Sequence, residues 1–471
     1  MQRCLQCISQ KFIKWTHLSG SLFAALIGAM LITGCAAPIA KTSDPTTEAP
    51  PRRLAIFFDG TANDESSNTN IFKLYELVTD KVEKSRLGTF YIEGVGANAK
   101  VIGMGTGWGI GYRVKLAYKY LANTYRKGDQ IYLFGFSRGA YSARILASML
   151  YHVGLPESPN RSTLGDDDVA AIFDAFKGDL TREERKLAAK RAVAAIDGLP
   201  PFKPVDITFM GLWDTVEALG VPDYQENVVL PNKRYGDQLC NVKRAAHALA
   251  LDDDRARIFT PILLSRPHLL EHCTVGEENA PWSLSPEGVK DRLNQVVDEV
   301  WFTGAHADVG GGYKNKDTGL GAISLNWMVE KLIDDGLLPA ETKKFEGNPD
   351  GDVHNPEAGL WGAIYRQKWR SFIEYAGSSP YNNGKLKIHT SVINRLKRPE
   401  KLSDCASNPP ADHGTNCQPR SSQWRLPELF PYCFPINQTG GYDFTQTAAG
   451  CLLDEVPSSN PETSRARGQT N

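Results

Sequence analysis

Residues 129–139 read DQIYLFGFSRG, and no other stretch narrows the fold as much. An apolar run of strand length leads directly into Gly135-Phe136-Ser137-Arg138-Gly139, and the chain continues as RGAYSARILASMLYHVG with helical periodicity. A buried strand must therefore reverse into a helix across one residue. Glycines on either side of Ser137 allow that sharp turn and a close approach of neighbouring backbone. The turn leaves the Ser137 hydroxyl at the carboxyl end of a strand. It also sets the N–H of Arg138 at a helix start, where backbone donors meet developing negative charge. Ser137 is thus a candidate nucleophile, the plainer alternative being a tight turn closed by a hydrogen-bonded serine.

The surrounding pattern alternates strand and helix. RRLAIFFDGT (52–61) is an apolar run ending in an Asp-Gly turn, and 70–84 carries apolar residues at helical spacing. GTFYIEGV follows as a strand (88–95), then a Gly-rich loop (94–111), a helix (112–127) and the strand that ends at Ser137. Strand, helix, strand, helix, strand, helix implies a mostly parallel sheet with right-handed crossovers, an α/β fold. Residues 160–198 read as two polar helices inserted into it. A strand is expected over 204–216, helices over 241–251 and 287–298, a strand ending in a turn over 298–313, and a helix over 321–336. The catalytic unit is expected to span 53–340. Beyond it, Pro-, Asn- and Gly-rich sequence predicts an irregular extension, 341–471, packed on the core.

A serine needs a base and an orienting acid to act as a nucleophile. On strand–turn–helix nucleophiles of the α/β-hydrolase type these follow in the order acid, then histidine. Asp214, in Leu212-Trp213-Asp214-Thr215, comes directly after the strand VDITFMG, where a carboxylate can fix an imidazole tautomer; a helix N-cap is the alternative. His306 lies on the Gly-rich turn TGAHADVGGG after a strand, free to reach the serine. His247 is expected within a helix and packed. His354, His389 and His413 fall in polar, irregular segments.

FFDGT (57–61) with NTN (68–70), GFSRGAYSAR (135–144), LWDTV (212–216), HALALDDDR (247–255) and VWFTGAHADVGGGY (300–313) occur in one order. Together they resemble a family of α/β-hydrolases that includes the catalytic domain of phospholipase effectors delivered by type VI secretion. The resemblance implies a serine esterase or lipase acting on phospholipids or other acyl esters without a cofactor. It implies the triad Ser137, Asp214 and His306. It also implies that Gly60 and Thr61 lie beside the site and complete the oxyanion hole begun at Arg138. Asp59 and Asp308 recur in the same motifs, either as orienting or alternative acids or as plain turn chemistry.

The N-terminus has a different logic. Arg3, Lys11 and Lys14 precede the apolar stretch LSGSLFAALIGAMLITG, and small residues lead into Cys35. This reads as a secretory signal, 1–34, whose end resembles the bacterial lipobox, implying lipidation of Cys35; a simple transmembrane anchor, or a plain signal peptide with a chance cysteine, is the alternative. Ala36 stands where an inner-membrane retention signal would often place Asp, so a lipid-anchored envelope protein, outer membrane rather than inner, is expected. Pro- and Thr-rich residues 35–52 read as a flexible tether. Of the nine cysteines, six lie past Cys35: Cys240, Cys273, Cys405, Cys417, Cys433 and Cys451. An even number in an exported chain suggests disulfides, with Cys405–Cys417, Cys433–Cys451 and Cys240–Cys273 as the candidate pairs.

A formal charge of −1 with no long Lys/Arg run argues against nucleic acid as a partner. The segment His268-Leu-Leu-Glu271-His272 matches H-x-x-E-H, but its flanks suit a short irregular segment, and no metal is expected. The Gly-rich loop lacks the register of a dinucleotide or P-loop site. The motifs specify no protein partner. The competing class is a non-catalytic envelope lipoprotein, with a binding, assembly or immunity role, built on a hydrolase fold.

Overall fold

A computed structural model describes residues 40–60, 67–94, 109–157, 164–217, 233–253, 255, 259–271, 273, 285–313, 319–354, 370–377, 380–396, 433 and 450–454. Their centre is a sheet in the order β1-β3-β2-β4-β5-β6-β7-β8-β9. The strands are β1 (Ala40–Ser43), β2 (Arg53–Phe58), β3 (Leu87–Ile92), β4 (Gln130–Phe136), β5 (Phe209–Trp213), β6 (Ala245–Ala250), β7 (Val297–Phe302), β8 (Leu386–His389) and β9 (Cys451–Asp454). β1 runs antiparallel to β3, and every other ladder is parallel. This is the mostly parallel, helix-flanked sheet that the strand–helix alternation requires.

Alternation along β2 shows why both faces are covered. Leu54, Ile56 and Phe58 join a cluster on one face; Ala55 and Phe57 join a cluster on the other. The first face is closed by α2 (Ile110–Thr124), α3 (Arg138–His152) and α6 (Pro286–Val296), with α4 (Asp166–Phe176) and α5 (Arg182–Ala194) packed there too. The second is closed by α1 (Asn70–Lys81) and α8 (Gly319–Asp334). Between β7 and α8 lies the short helix α7 (His306–Gly310). α3 is buried at every residue, which suits a helix that begins at the centre of the sheet.

Three expectations need correction. Residues 245–250, AAHALA, read as a helix because alanine and leucine favour one, but they form β6. The segment is fully buried between β5 and β7, and ladder pairing with tight packing of small side chains overrides local propensity. His247 accordingly sits in a strand. Beyond residue 340 the chain is not only irregular. β8 and β9 extend the sheet, and α9 (Phe372–Gly377) and α10 (Thr390–Leu396) pack around them. Within the expected tether, Ala40–Ser43 pairs with β3 as an edge strand.

Cys240 and Cys273 are disulfide-bonded with a Cα–Cα distance of 5.3 Å, and Cys433 and Cys451 with 4.8 Å. The second bridge ties Cys433 to the first residue of β9. Cys35, Cys405 and Cys417 lie outside the described residues, as do the signal segment and most of the Gly-rich loop. Among the described residues no helix is long and apolar enough to cross a membrane.

Candidate active site

Ser137 holds φ 59° and ψ −127°, a backbone conformation that residues with a side chain seldom adopt. The flanking glycines make it possible. A Cβ on Gly139 would lie 2.2 Å from the Phe58 carbonyl, and one on Gly135 2.5 Å from Ala140 Cα. Both distances are too short for real atoms, so α3 can start this close to β2 and β4 only with glycine at both positions. The Ser137 N–H donates to Trp213 O at 2.9 Å, which fastens the turn to the end of β5.

Asp214 directly follows β5, is fully buried, and also has positive φ, 38°. His306 opens α7 after β7. Its Nδ1 donates to Asp214 Oδ2 at 2.5 Å. Its Nε2 is buried and has no hydrogen-bond partner among the described residues. The His306 ring packs on Phe136, the neighbour of Ser137, at 4.7 Å between centroids and meets the edge of Phe259 at 5.0 Å. With Nδ1 carrying the proton toward Asp214, Nε2 presents a lone pair. That is the tautomer a general base needs.

The turn bearing His306 is fixed by two acids of the DDDR run. Asp252 Oδ2 accepts from Gly304 N at 2.7 Å, and Asp253 Oδ2 accepts from His306 N at 3.2 Å. Arg255 pairs with Asp253 at 2.7 Å. Asp308 does not reach His306. It caps α7 by accepting from Ala305 N at 2.9 Å and pairs with His354 Nδ1 at 2.6 Å. Burial raises the Asp308 carboxyl, and the contact with His354 offsets part of that rise.

Asp59 ends β2 beneath the N-terminus of α3. Its Oδ1 accepts from Gly60 N at 2.7 Å, and its Oδ2 accepts from Thr69 and Tyr91 hydroxyls, both at 2.8 Å. Burial pushes its pKa up to about 6 against these donors. The Gly60 amide is therefore engaged by Asp59, and Thr61 lies outside the described residues. The NTN motif serves as a clasp. Thr69 caps α1, and Asn70 Nδ2 donates to Val309 O at 2.9 Å and Gly321 O at 2.8 Å, tying α1 to α7 and α8.

Two features escaped the sequence reading. Arg370, fully buried, grips both Asp214 oxygens, Nη1 to Oδ1 at 2.8 Å and Nη2 to Oδ2 at 2.9 Å. Burial alone would raise Asp214, but the Arg370 charge and the His306 contact outweigh it and hold the carboxyl well below the usual range. The second is a buried array beside Asp214. His247 Nδ1 donates to Glu299 Oε2 at 2.9 Å, and His247 Nε2 accepts from the Thr215 N–H at 3.1 Å. Nothing local signals either feature, since a lone Arg or an Ala-flanked His looks the same whether buried or exposed. His268 sits in a 3-10 turn, and His272 is outside the described residues. Among the described residues no cluster of His, Cys, Asp and Glu has the makings of a metal site.

A parallel sheet carrying a serine on a strained strand-to-helix turn, with an acid–histidine pair on later strand ends, defines the α/β-hydrolase class. Within it, residues 52–331 match the family described as "T6SS, Phospholipase effector Tle1-like, catalytic domain", and the chain belongs to that family. The uncharacterized protein YEL023C of Saccharomyces cerevisiae is 24% identical, over 54% of this chain and 40% of the yeast protein. An uncharacterized protein from Pseudomonas aeruginosa is similar in structure at 17% identity and TM-score 0.35, over 69% of this chain and 50% of that one. The Tle1 effector bound to the VgrG spike of the type 6 secretion system shares 17% identity at TM-score 0.26, over 59% and 57%. Esterase 2 of Thermogutta terrifontis shares 12% at TM-score 0.30, over 64% of this chain and 91% of the esterase. The chain thus spans well under two thirds of the yeast, Pseudomonas and Tle1 proteins.

Proposed function

We propose that this protein hydrolyses acyl esters of phospholipids through Ser137, His306 and Asp214. The observation that carries the reading is the His306 ring. One nitrogen is held by a buried carboxylate at 2.5 Å, and the other is buried beside the serine turn with no partner among the described residues. His306 Nε2 takes the Ser137 proton as Oγ attacks the ester carbonyl. The imidazolium is held by Asp214, and the oxyanion meets the Arg138 N–H at the start of α3. Collapse of the tetrahedral intermediate expels the alcohol, which receives the proton from His306. Water, deprotonated by the same nitrogen, then releases the fatty acid from the acyl-Ser137 ester.

Cys35, lipidated as the mature N-terminus, anchors the enzyme at the outer membrane, so its substrate lies in the surface that holds it. In this reading Cys35→Ser leaves the membrane fraction or accumulates as precursor. The test of activity is lipid mass spectrometry after incubation with total bacterial phospholipid. Wild type yields lysophospholipid and free fatty acid, and Ser137→Ala yields neither. Equal product from the two proteins refutes the mechanism.

A further inference from the structure

Arg370 lies outside the span that matches the catalytic family, yet it makes the closest cationic contact to the site's acid. Its two terminal nitrogens take one oxygen of Asp214 each, and they also donate to Ala250 O at 2.5 Å and Phe259 O at 2.9 Å. Those carbonyls belong to the end of β6 and to the stretch whose Phe259 ring touches His306. One guanidinium therefore joins the acid, the neighbouring strand end and the wall behind the base. Ala250 N adds a further bond to Asp214 Oδ1 at 3.0 Å. With two donors on each oxygen, the carboxylate is held in one orientation.

Arg370 is itself held firmly. The helix that follows it, α9, sets Phe372 and Tyr375 against Trp301 of β7, at 5.3 and 5.7 Å between ring centroids. β8 then pairs with β7 through Trp301 and Ile388. From the same side of the chain, His354 pairs with Asp308 on the helix that His306 opens.

We propose that Arg370 is a positioning residue of the catalytic triad, so that a residue beyond the span matching the family completes the active site. The proposal rests on the triad reading above. Arg370 acts through Asp214. It fixes the carboxylate's rotation, so that Oδ2 meets His306 Nδ1, and it keeps that carboxylate ionised. Its charge also moderates how strongly Asp214 holds the proton on His306. The charged groups packed around His306 and its turn include, among the described residues, Asp214, Asp252, Asp253 with Arg255, Asp308 with His354, and Arg370. Loss of the Arg370 cation leaves this set more negative, which favours the protonated imidazole and moves the acid limb of kcat/KM to higher pH.

The test is a double-mutant cycle on the full-length enzyme with a soluble acyl ester. Arg370→Gln is expected to lower kcat about 100-fold, the scale of a misplaced catalytic group, with KM little changed. Its acid limb is expected to rise by about one pH unit. Because Arg370 works through Asp214, the pair Asp214→Asn/Arg370→Gln should be no slower than Asp214→Asn alone. Arg370→Lys keeps the cation but not the two-pronged grip. It should lose kcat with its acid limb in place, and it carries the test if the glutamine variant does not fold. Wild-type kcat in either single variant overturns the proposal, as does strict additivity in the cycle. If Asp214→Asn itself is fully active, the triad reading fails. If Asp214→Asn is inactive and Arg370→Gln is normal, only the role of Arg370 fails.

Discussion

Asp214–His306 and Glu299–His247 are both buried carboxylate–imidazole pairs. One closes the ends of β5 and β7, and the other bridges β6 and β7 within the sheet. Their carboxylate–Nδ1 distances are close, 2.5 and 2.9 Å. They differ at the second ring nitrogen. His247 Nε2 is occupied by the N–H of Thr215 at 3.1 Å and its hydroxyl at 3.0 Å, whereas His306 Nε2 has no partner among the described residues. A carboxylate makes an imidazole basic and fixes its tautomer, but only an open lone pair next to a nucleophile makes it a base. The inner pair has spent that lone pair on the backbone of the residue following Asp214. Its work is to hold the turn on which the outer pair depends.

Substitutions should separate the two pairs, the largest effect coming first. His306→Ala is expected to lower kcat by about 10⁴-fold or more, leaving what binding and the oxyanion donor supply. Asp214→Asn should fall in the same range. His247→Ala should retain kcat per folded molecule within about tenfold, so a loss as deep as that of His306→Ala breaks the comparison. Stability should show the reverse order. His247→Ala takes the imidazole from a buried glutamate that still accepts the Leu264 N–H at 2.7 Å, and is expected to cost about 2–3 kcal/mol, read as a lower urea midpoint. His306→Ala should cost less than half of that.

Thr215→Val removes one of the two donors to His247 Nε2 and should cost about 1 kcal/mol, since the N–H remains. A calorimetric scan checks it, and a loss as large as that of His247→Ala would show that the hydroxyl rather than the backbone holds the ring.

The smallest effect is in the pH dependence. Glu299 is buried, which by itself would raise its pKa, but the His247 contact prevails and lowers it. A carboxylate depressed on folding stabilises above its unfolded pKa, and that stability is lost as pH falls through the folded value. Glu299→Gln should therefore flatten the decline in stability below about pH 4.5, the ordinary glutamate range. Asp214 is depressed as well, so the acid limb of wild-type kcat/KM should have a slope of one proton. A two-proton slope would mean that Asp214 titrates alongside the base.

Legibility in the sequence followed how local the cause was. The Ser137 turn is written in a seven-residue strand and two glycines, each with a steric reason that can be read without a fold. The strand ends carrying Asp214 and His306 were legible too, because apolar runs ending in turn residues mark where a parallel sheet presents its carboxyl edge. β6 is hidden by the helical propensity of AAHALA, and only its place between two strands decides otherwise. β8 and β9, four residues each, are too short to show alternation against Pro- and Asn-rich surroundings. Arg370 had no signal at all. Its meaning lies in a carboxylate 156 positions away in the chain. The DDDR run does carry a signal: acids just after a strand, in the same edge as a Gly-rich turn, are well placed to bind that turn's free amides.

Reaction with a fluorophosphonate followed by peptide mass spectrometry tests the central claim most directly, because the reagent reports an activated serine whatever the natural ester. Wild type and His247→Ala should carry the adduct on the peptide containing Ser137, and His306→Ala should carry none on the same timescale. An unlabelled wild type, an adduct on a different serine, or undiminished labelling of Ser137 in His306→Ala would contradict the account.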